Sequence, residues 1–364
     1  MQGLSRPSLP ADALLGHWID GRYRPVEPLG AGGMAIVYRA EVAGGGQVAV
    51  KVLQDALADD PSQRERFERE ARALFALEHP NILRVHDFGI VAGKPYLVME
   101  LLEGERLDAL TERGPLDPVV AIDLAGQVLS GLAFAHGRGI VHRDLKTENV
   151  FVQRLPDGRW HARLLDFGLV KFADEQRWGS GKPLTAFGEI FGTPAYMSPE
   201  QCIGERLDAR ADVYSMGVVL FELLTGTWPF VEEDRLAMFQ AHLSKTPPTL
   251  SETRTDVVFR PELEAVVARA LAKRKEDRFA DAGEMLAALR AVPSPPAVPR
   301  ALGASAPRAP TPDRAAPPSP VTTAPAVSQR RTRPNRRIVW LAVGAVALLA
   351  VGVVAAAVTL LAMR

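Results

Sequence analysis

Hydrophobic and polar positions change their rhythm along the chain. From Gly21 to about Leu102 the apolar residues alternate or run in short blocks, the pattern of strands. Tyr23–Leu29 leads into a glycine-rich run, Gly30-Ala31-Gly32-Gly33-Met34, and Val48-Ala49-Val50-Lys51 alternates and ends in a lysine. One helix interrupts these strands. Asp60 is a good N-cap and Pro61 a good first helical residue, after which Phe67, Ala71, Leu74 and Leu77 recur at helical spacing. Tyr96–Leu102 is an apolar strand running into a short link. Beyond it the spacing turns helical. Asp117 is placed to cap a helix over Pro118–His136 in which Ile122, Ala125, Leu129, Leu132 and Ala133 share a side. Val218–Leu224 is strongly apolar, and Pro261–Leu271 and Asp281–Leu289 are amphipathic. Between Asn149 and Asp166 stands a hairpin, Val150–Val152 with His161–Leu165, around Pro156-Asp157-Gly158. The pattern predicts an α+β body, strand-rich at first and helical afterwards.

The two ends read differently. Residues 1–19 show prolines, one short apolar patch and no clear period, which predicts a loosely held extension and no signal peptide. Ala291–Arg337 holds twelve of the 29 prolines. Such a segment buries too little apolar surface to fold, so residues 291–337 are expected to be an extended linker. Residues 338–363 then run without a charge, and at about 1.5 Å per residue they reach about 39 Å, more than the roughly 30 Å of membrane hydrocarbon. A transmembrane helix is the expectation.

Charge sharpens that reading. The formal net charge is zero, yet Arg290–Arg337 carries nine arginines against one acid, Asp313. A basic stretch can signal nucleic acid. Here Arg330, Arg331, Arg333, Arg336 and Arg337 precede the apolar run, which instead places that end on the cytoplasmic side, so no nucleic-acid partner is expected. Only Arg364 follows the span, and no external sensor domain is expected. The single cysteine, Cys202, excludes an intrachain disulfide and fits a reducing compartment.

The chemistry concentrates in His142–Asn149, HRDLKTEN, and in Asp166-Phe167-Gly168. Asp144 can accept a proton from a hydroxyl. Asn149 and Asp166 are hard oxygen donors of the kind Mg²⁺ prefers beside phosphates, and Lys146 is a mobile point charge able to neutralise a phosphate. The spacing meets H-R-D-x-x-x-x-N at every fixed position. From about Asp20 to about Arg290 the chain resembles the bacterial, eukaryotic-like (Hanks-type) serine/threonine protein kinases, especially the membrane-anchored ones. The glycine loop meets G-x-G-x-x-G-x-V at Gly30, Gly32 and Val37 and departs from it at Ala35.

That resemblance implies a two-lobed protein kinase-like fold, with a β-rich N-lobe at about 20–101, a helical C-lobe at about 102–290 and the C-terminal membrane helix. It implies ATP and Mg²⁺ as cofactors, with Mn²⁺ as a substitute. Leu29, Gly30, Ala31, Gly32, Gly33, Met34, Val37 and Ala49 would enclose the nucleotide, Met99 would stand behind the adenine, and the backbones of Glu100 and Leu102 would bond its edge. Lys51 and Glu70 would pair to hold the α- and β-phosphates. By itself a strand lysine such as Lys51 is usually a solvated edge residue, and the lesser alternative for Glu70 is a place in the solvated run of Arg64, Glu65, Arg66, Glu68 and Arg69. Asp144, Lys146 and Asn149 would be catalytic, and Asn149 and Asp166 would hold the metal. His142 would be structural, in a hydrophobic column with Phe167, Leu74 and Val85, and Asp212 would bond the catalytic segment from below. Glu200 of Ser198-Pro199-Glu200 would pair with Arg278. Thr193 would line the substrate-docking loop, Arg143 would offer a phosphate contact, and Thr185 is the candidate autophosphorylation site. The implied partners are proteins with Ser/Thr acceptors and the membrane, with a homodimer as an option. The implied location is the cell membrane, single-pass, with the kinase domain cytoplasmic. Two rivals are a catalytically silent nucleotide-binding scaffold and a small-molecule kinase of similar fold. Lys51, Glu70, Asp144, Asn149 and Asp166 argue against the first; Lys146 and the Gly192–Glu200 segment argue against the second.

Overall fold

Five antiparallel strands form the first sheet, in the order β1-β2-β3-β5-β4: β1 Tyr23–Ala31, β2 Ala35–Val42, β3 Gln47–Leu53, β4 Val85–Val91 and β5 Lys94–Glu100. The computed structural model describes residues 14–31, 35–53, 61–167 and 193–293, the side chains of 61–64, 66 and 70 excepted. The expected linker and membrane helix over 291–337 and 338–363 fall outside these apart from 291–293, as do Thr185 and the Gly32-Gly33-Met34 tip.

The period-2 alternation of β3 divides its side chains between two cores. Val50 and Val52 face a cluster with Ile19, Tyr38, Tyr96 and Val98, while Ala49 and Leu53 join the large core shared with α1 (Pro61–Phe75) and the helical part. The first cluster corrects one expectation. The extension was expected to be loose through residue 19, yet Ile19 is buried, Leu14 and Leu15 pack against the cluster, Gly16 N–H donates to Pro25 O at 2.8 Å, and Ile19 bridges Tyr23. The apolar side chains of 14–19 close the outer face of a sheet that would otherwise be wet.

The helical part is built around α5, Ala209–Thr225, in which every residue from Ala211 to Leu224 is buried. A helix buried on all sides belongs at the centre of a core. Its Asp208 N-cap accepts from Arg210 N–H, and Gly226 (φ +77°) ends it in the left-handed conformation that glycine tolerates. Around it stand α2 (Leu107–Thr111), α3 (Pro118–His136), α4 (Pro199–Cys202), α6 (Arg235–Ser244), α7 (Leu250–Thr253), α8 (Pro261–Ala270) and α9 (Ala282–Arg290). Strands β6 (Glu105–Arg106), β7 (Val150–Arg154) and β8 (Trp160–Leu164) form a second sheet. Asp117 caps α3 by accepting from Val119 N–H. The buried face of α3 is Ala121, Leu124, Ala125, Val128, Leu129, Leu132 and Ala135, which leaves Ile122 and Ala133 half-buried at its edge. Among the described residues α3 is the helix long and apolar enough to cross a membrane, and that apolarity is spent on packing against α5, α9 and β8.

Candidate active site

Lys51 is carried into the interior by its strand. β3 lies between β2 and β5, with Lys51 opposite Val37 and Leu97, and only 7% of the residue is exposed. A buried ammonium is costly unless paired. Its Nζ meets Asp166 Oδ1 at 2.5 Å. Asp166 is 115 positions away and its side chain is 38% exposed, so its carboxylate keeps an open side. The backbone of α1 runs through Glu70, but that side chain lies outside the described residues.

The segment around Asp144 is held peptide by peptide. His142 N–H and Arg143 N–H both donate to Asp212, to Oδ2 at 2.7 Å and Oδ1 at 2.8 Å, and His136 Nε2 lies 2.9 Å from Oδ2. Burial alone would raise the Asp212 pKa. The His136 hydrogen bond, the fields of His136 and His142 and the His142 N–H outweigh it and hold the carboxyl below its ordinary range. Asn149 Nδ2 donates to the Asp144 carbonyl at 2.8 Å and to Asp144 Oδ2 at 3.1 Å. An amide nitrogen spent this way leaves the Asn149 oxygen for another partner. His142 is fully buried, bonds Leu165 O through Nε2 at 2.8 Å, and its ring lies 4.7 Å from that of Phe167. Phe167, Leu74, Val85 and Met99 share the wall of one small recess, which Asp166 also lines. Arg143 and Asp166 both have positive φ, +65° and +47°. Non-glycine residues held there cost on the order of 1–3 kcal/mol and collect at functional sites.

Lys146 Nζ donates to Thr193 Oγ1 at 3.1 Å, which ties the Asp144 segment to Thr193, where the described residues resume. Arg143, Asp144, Lys146, Thr193, Tyr196 and Gln201 line one pocket. Nearby, Arg278 donates through Nη1 and Nη2 to the two carboxylate oxygens of Glu200 at 2.8 and 3.0 Å.

The nucleotide-side candidates surround the sheet edge. Leu29, Gly30 and Ala31 are exposed at the end of β1, while Val37 is half-buried. Ala49 and Met99 pair across β3 and β5 and are both buried. Glu100 N–H already donates to Arg84 O at 3.1 Å, so the Glu100 carbonyl is the backbone group it has left to offer. Leu102 is half-buried in the link.

Among the described residues no group of three or more His, Cys, Asp or Glu forms a ready metal cage. Asn149 and Asp166 supply an oxygen-only donor pair, which fits Mg²⁺ held by one or two carboxylates together with substrate phosphates. A buried polar group not singled out from the sequence stands behind the Thr193–Cys202 segment. Glu222 accepts from Tyr196 OH at 2.6 Å and Thr111 Oγ1 at 3.1 Å, and Thr147 Oγ1 lies 2.8 Å from the Tyr196 hydroxyl. Burial above all raises the Glu222 pKa. Gln201, also missed, sits where Ser-Pro-Glu-Gln carries a capping-box signal, and that signal foretells only half of what the side chain does.

Residues 23–288 match the protein kinase domain family. The chain is 43% identical to the serine/threonine-protein kinase Pkn1 of Myxococcus xanthus over 261 residues, 71% of this chain and 36% of Pkn1. It is 39% identical to pkn3 of the same organism over 284 residues, 77% of this chain and 52% of pkn3. Against the PknB kinase of Mycolicibacterium smegmatis the identity is 39% over 277 residues, 74% of this chain and 43% of PknB. The chain thus spans about half or less of the length of these relatives. The crystal structure of the PknI kinase domain of Mycobacterium tuberculosis is similar with a TM-score of 0.56 at 30% identity, covering 74% of this chain and 95% of that domain.

Proposed function

The chain belongs to the protein kinase domain family, and from that premise we propose that it transfers the γ-phosphoryl group of ATP to Ser or Thr hydroxyls of proteins. The observation that carries this reading is the Lys51–Asp166 ion pair, which brings a strand lysine and the acid of Asp166-Phe167-Gly168 to one point across 115 positions. There Lys51 binds phosphate oxygens. The glycine-rich run with Val37, Ala49 and Met99 encloses the nucleotide, and the Glu100 carbonyl and Leu102 backbone meet the adenine edge. Asp144 orients the acceptor hydroxyl and takes its proton as the oxygen–phosphorus bond forms and the bond to the β-phosphate oxygen breaks. ADP leaves with that oxygen. Lys146 balances charge on the moving phosphoryl group, and its bond to Thr193 aligns the acceptor chain beside it. Mg²⁺, which Asn149 and Asp166 would hold, neutralises phosphate charge when bound. The rest is positioning and electrostatics.

Autophosphorylation at Thr185 and a membrane anchor over 338–363, with the kinase domain cytoplasmic, belong to the same proposal and rest on the sequence alone. The test is a radiolabelled transfer assay on the full chain, offering protein and small alcohols as acceptors. Label on protein Ser/Thr, lost by orders of magnitude in Asp144→Asn, is the expected result. Undiminished transfer by Asp144→Asn, or label only on small alcohols, refutes the reading.

A further inference from the structure

The carbonyl that precedes Asp144 is held by a side chain from the docking segment. Gln201, in α4 and 3% exposed, donates Nε2–H to Arg143 O at 2.9 Å. Its Oε1 accepts Ser198 N–H at 2.9 Å. The two partners fix the amide's orientation, since one is a donor and the other an acceptor. Arg143 sits at φ +65°, a conformation that persists only when its surroundings enforce it. Asp212 enforces it from the nitrogen side and Asn149 fixes the next carbonyl. Gln201 supplies the bond at the carbonyl between them and comes from the segment that carries Thr193 and Ser198.

We infer that Gln201 is a positioning residue for Asp144, which couples the seating of the substrate-docking segment to the peptide plane that aims the Asp144 carboxylate. The inference rests on the kinase reading for its consequence in rate, though not for its consequence in backbone order. It gives the docking segment a direct hold on the catalytic backbone, so a displaced segment lowers transfer without touching nucleotide binding.

The experiment compares the full-length chain with Gln201→Glu and Gln201→Met. The glutamate keeps the acceptor for Ser198 N–H. When ionised it sets oxygen against the Arg143 carbonyl, and when protonated it regains a donor. The methionine keeps the volume and makes neither bond. Loss of both hydrogen bonds, of which the one to Arg143 O bears on the reacting geometry, is expected to lower kcat about tenfold in Gln201→Met at every pH, with the KM for ATP within about twofold of wild type. In Gln201→Glu the kcat ratio to wild type is expected to fall about tenfold from pH 6 to pH 8.5. Arg143, Asp144, Lys146 and Tyr196 share the pocket, and Glu200, Cys202 and Arg278 adjoin it; all are present in every variant and cancel in the ratio. Amide hydrogen exchange over 142–149 is expected to quicken in Gln201→Met and stay unchanged in α3. Overturning results are a flat ratio with kcat within twofold of wild type in both variants, a parallel rise in the KM for ATP, or faster exchange through α3 and α5 alike, which would make Gln201 a prop of the whole fold. The exchange measurement needs no turnover. A wild type that phosphorylates nothing sinks the kinase reading and leaves this arm to decide the inference.

Discussion

Arg278 offers the sharpest quantitative test of how α4 is anchored. Its side chain is fully buried and all five of its N–H bonds are used. Two go to Glu200, and the others go to the carbonyls of Ala272 at 2.8 Å, Arg210 at 3.1 Å and Lys273 at 3.0 Å. Arg278→Met fills the space but leaves the Glu200 carboxylate, 5% exposed, without its counter-charge. Breaking a buried pair from one side costs about 3–5 kcal/mol, whereas removing both partners costs far less. Each kcal/mol is worth about 2–4 °C in a domain of this size, so Arg278→Met is expected to unfold about 10 °C below wild type in a thermal melt followed by circular dichroism. Arg278→Lys, a point charge with three donors instead of a planar fork, should fall between. The double variant Glu200→Gln with Arg278→Met should recover about 2 kcal/mol relative to the sum of the single changes. An Arg278→Met chain melting within about 2 °C of wild type, or single effects that simply add, would refute the claim that this pair anchors α4.

Three further expectations follow from the structure. His242, buried in α6 beside the Tyr214 hydroxyl at 2.9 Å, has its pKa pushed from 6.5 to about 4 by burial first and by Lys273 second. The unfolded chain takes up that proton at higher pH, so the stability from neutral His242 is whole above pH 6.5 and drains away as pH falls toward 4. It amounts to at most about 3 kcal/mol; urea midpoints from pH 7.5 to 4.5 should drop less in His242→Gln than in wild type, and parallel slopes would be the contrary result. Lys51→Met should weaken binding of a fluorescent ATP analogue at least about tenfold while a melt shows the chain folded; unchanged affinity would remove Lys51 from the phosphate site. Gly104 has φ +144°, and a Cβ there would lie 2.3 Å from Val152 O. Gly104→Ala is therefore expected to cost about 2 kcal/mol or more in denaturant unfolding, and a neutral effect would mean that the link and β7 yield together.

Much of the architecture was legible along the chain because it is decided by neighbours. Asp117 followed by Pro118 starts a helix because the Asp117 carboxylate accepts the N–H two positions on and the Pro118 ring fixes φ without an N–H to leave unsatisfied. The alternation in Val48–Lys51 marks a strand whatever lies beyond it. The spacing from His142 to Asn149 assembles Asp144, Lys146 and Asn149 on one short segment, so the Asn149–Asp144 contact needed only local geometry. What tertiary structure alone decided are the meetings of distant groups. Nothing near Lys51 says that its ammonium ends on Asp166, because a pairing energy between positions 115 apart is set by how the two lobes close. The seating of Leu14–Ile19 was invisible for a similar reason, since a short apolar patch has no period and its worth depends on an open sheet face elsewhere. Gln201 is the clearest case: its partner is a main-chain carbonyl, which every residue possesses, and only the folded backbone determines which one comes within reach.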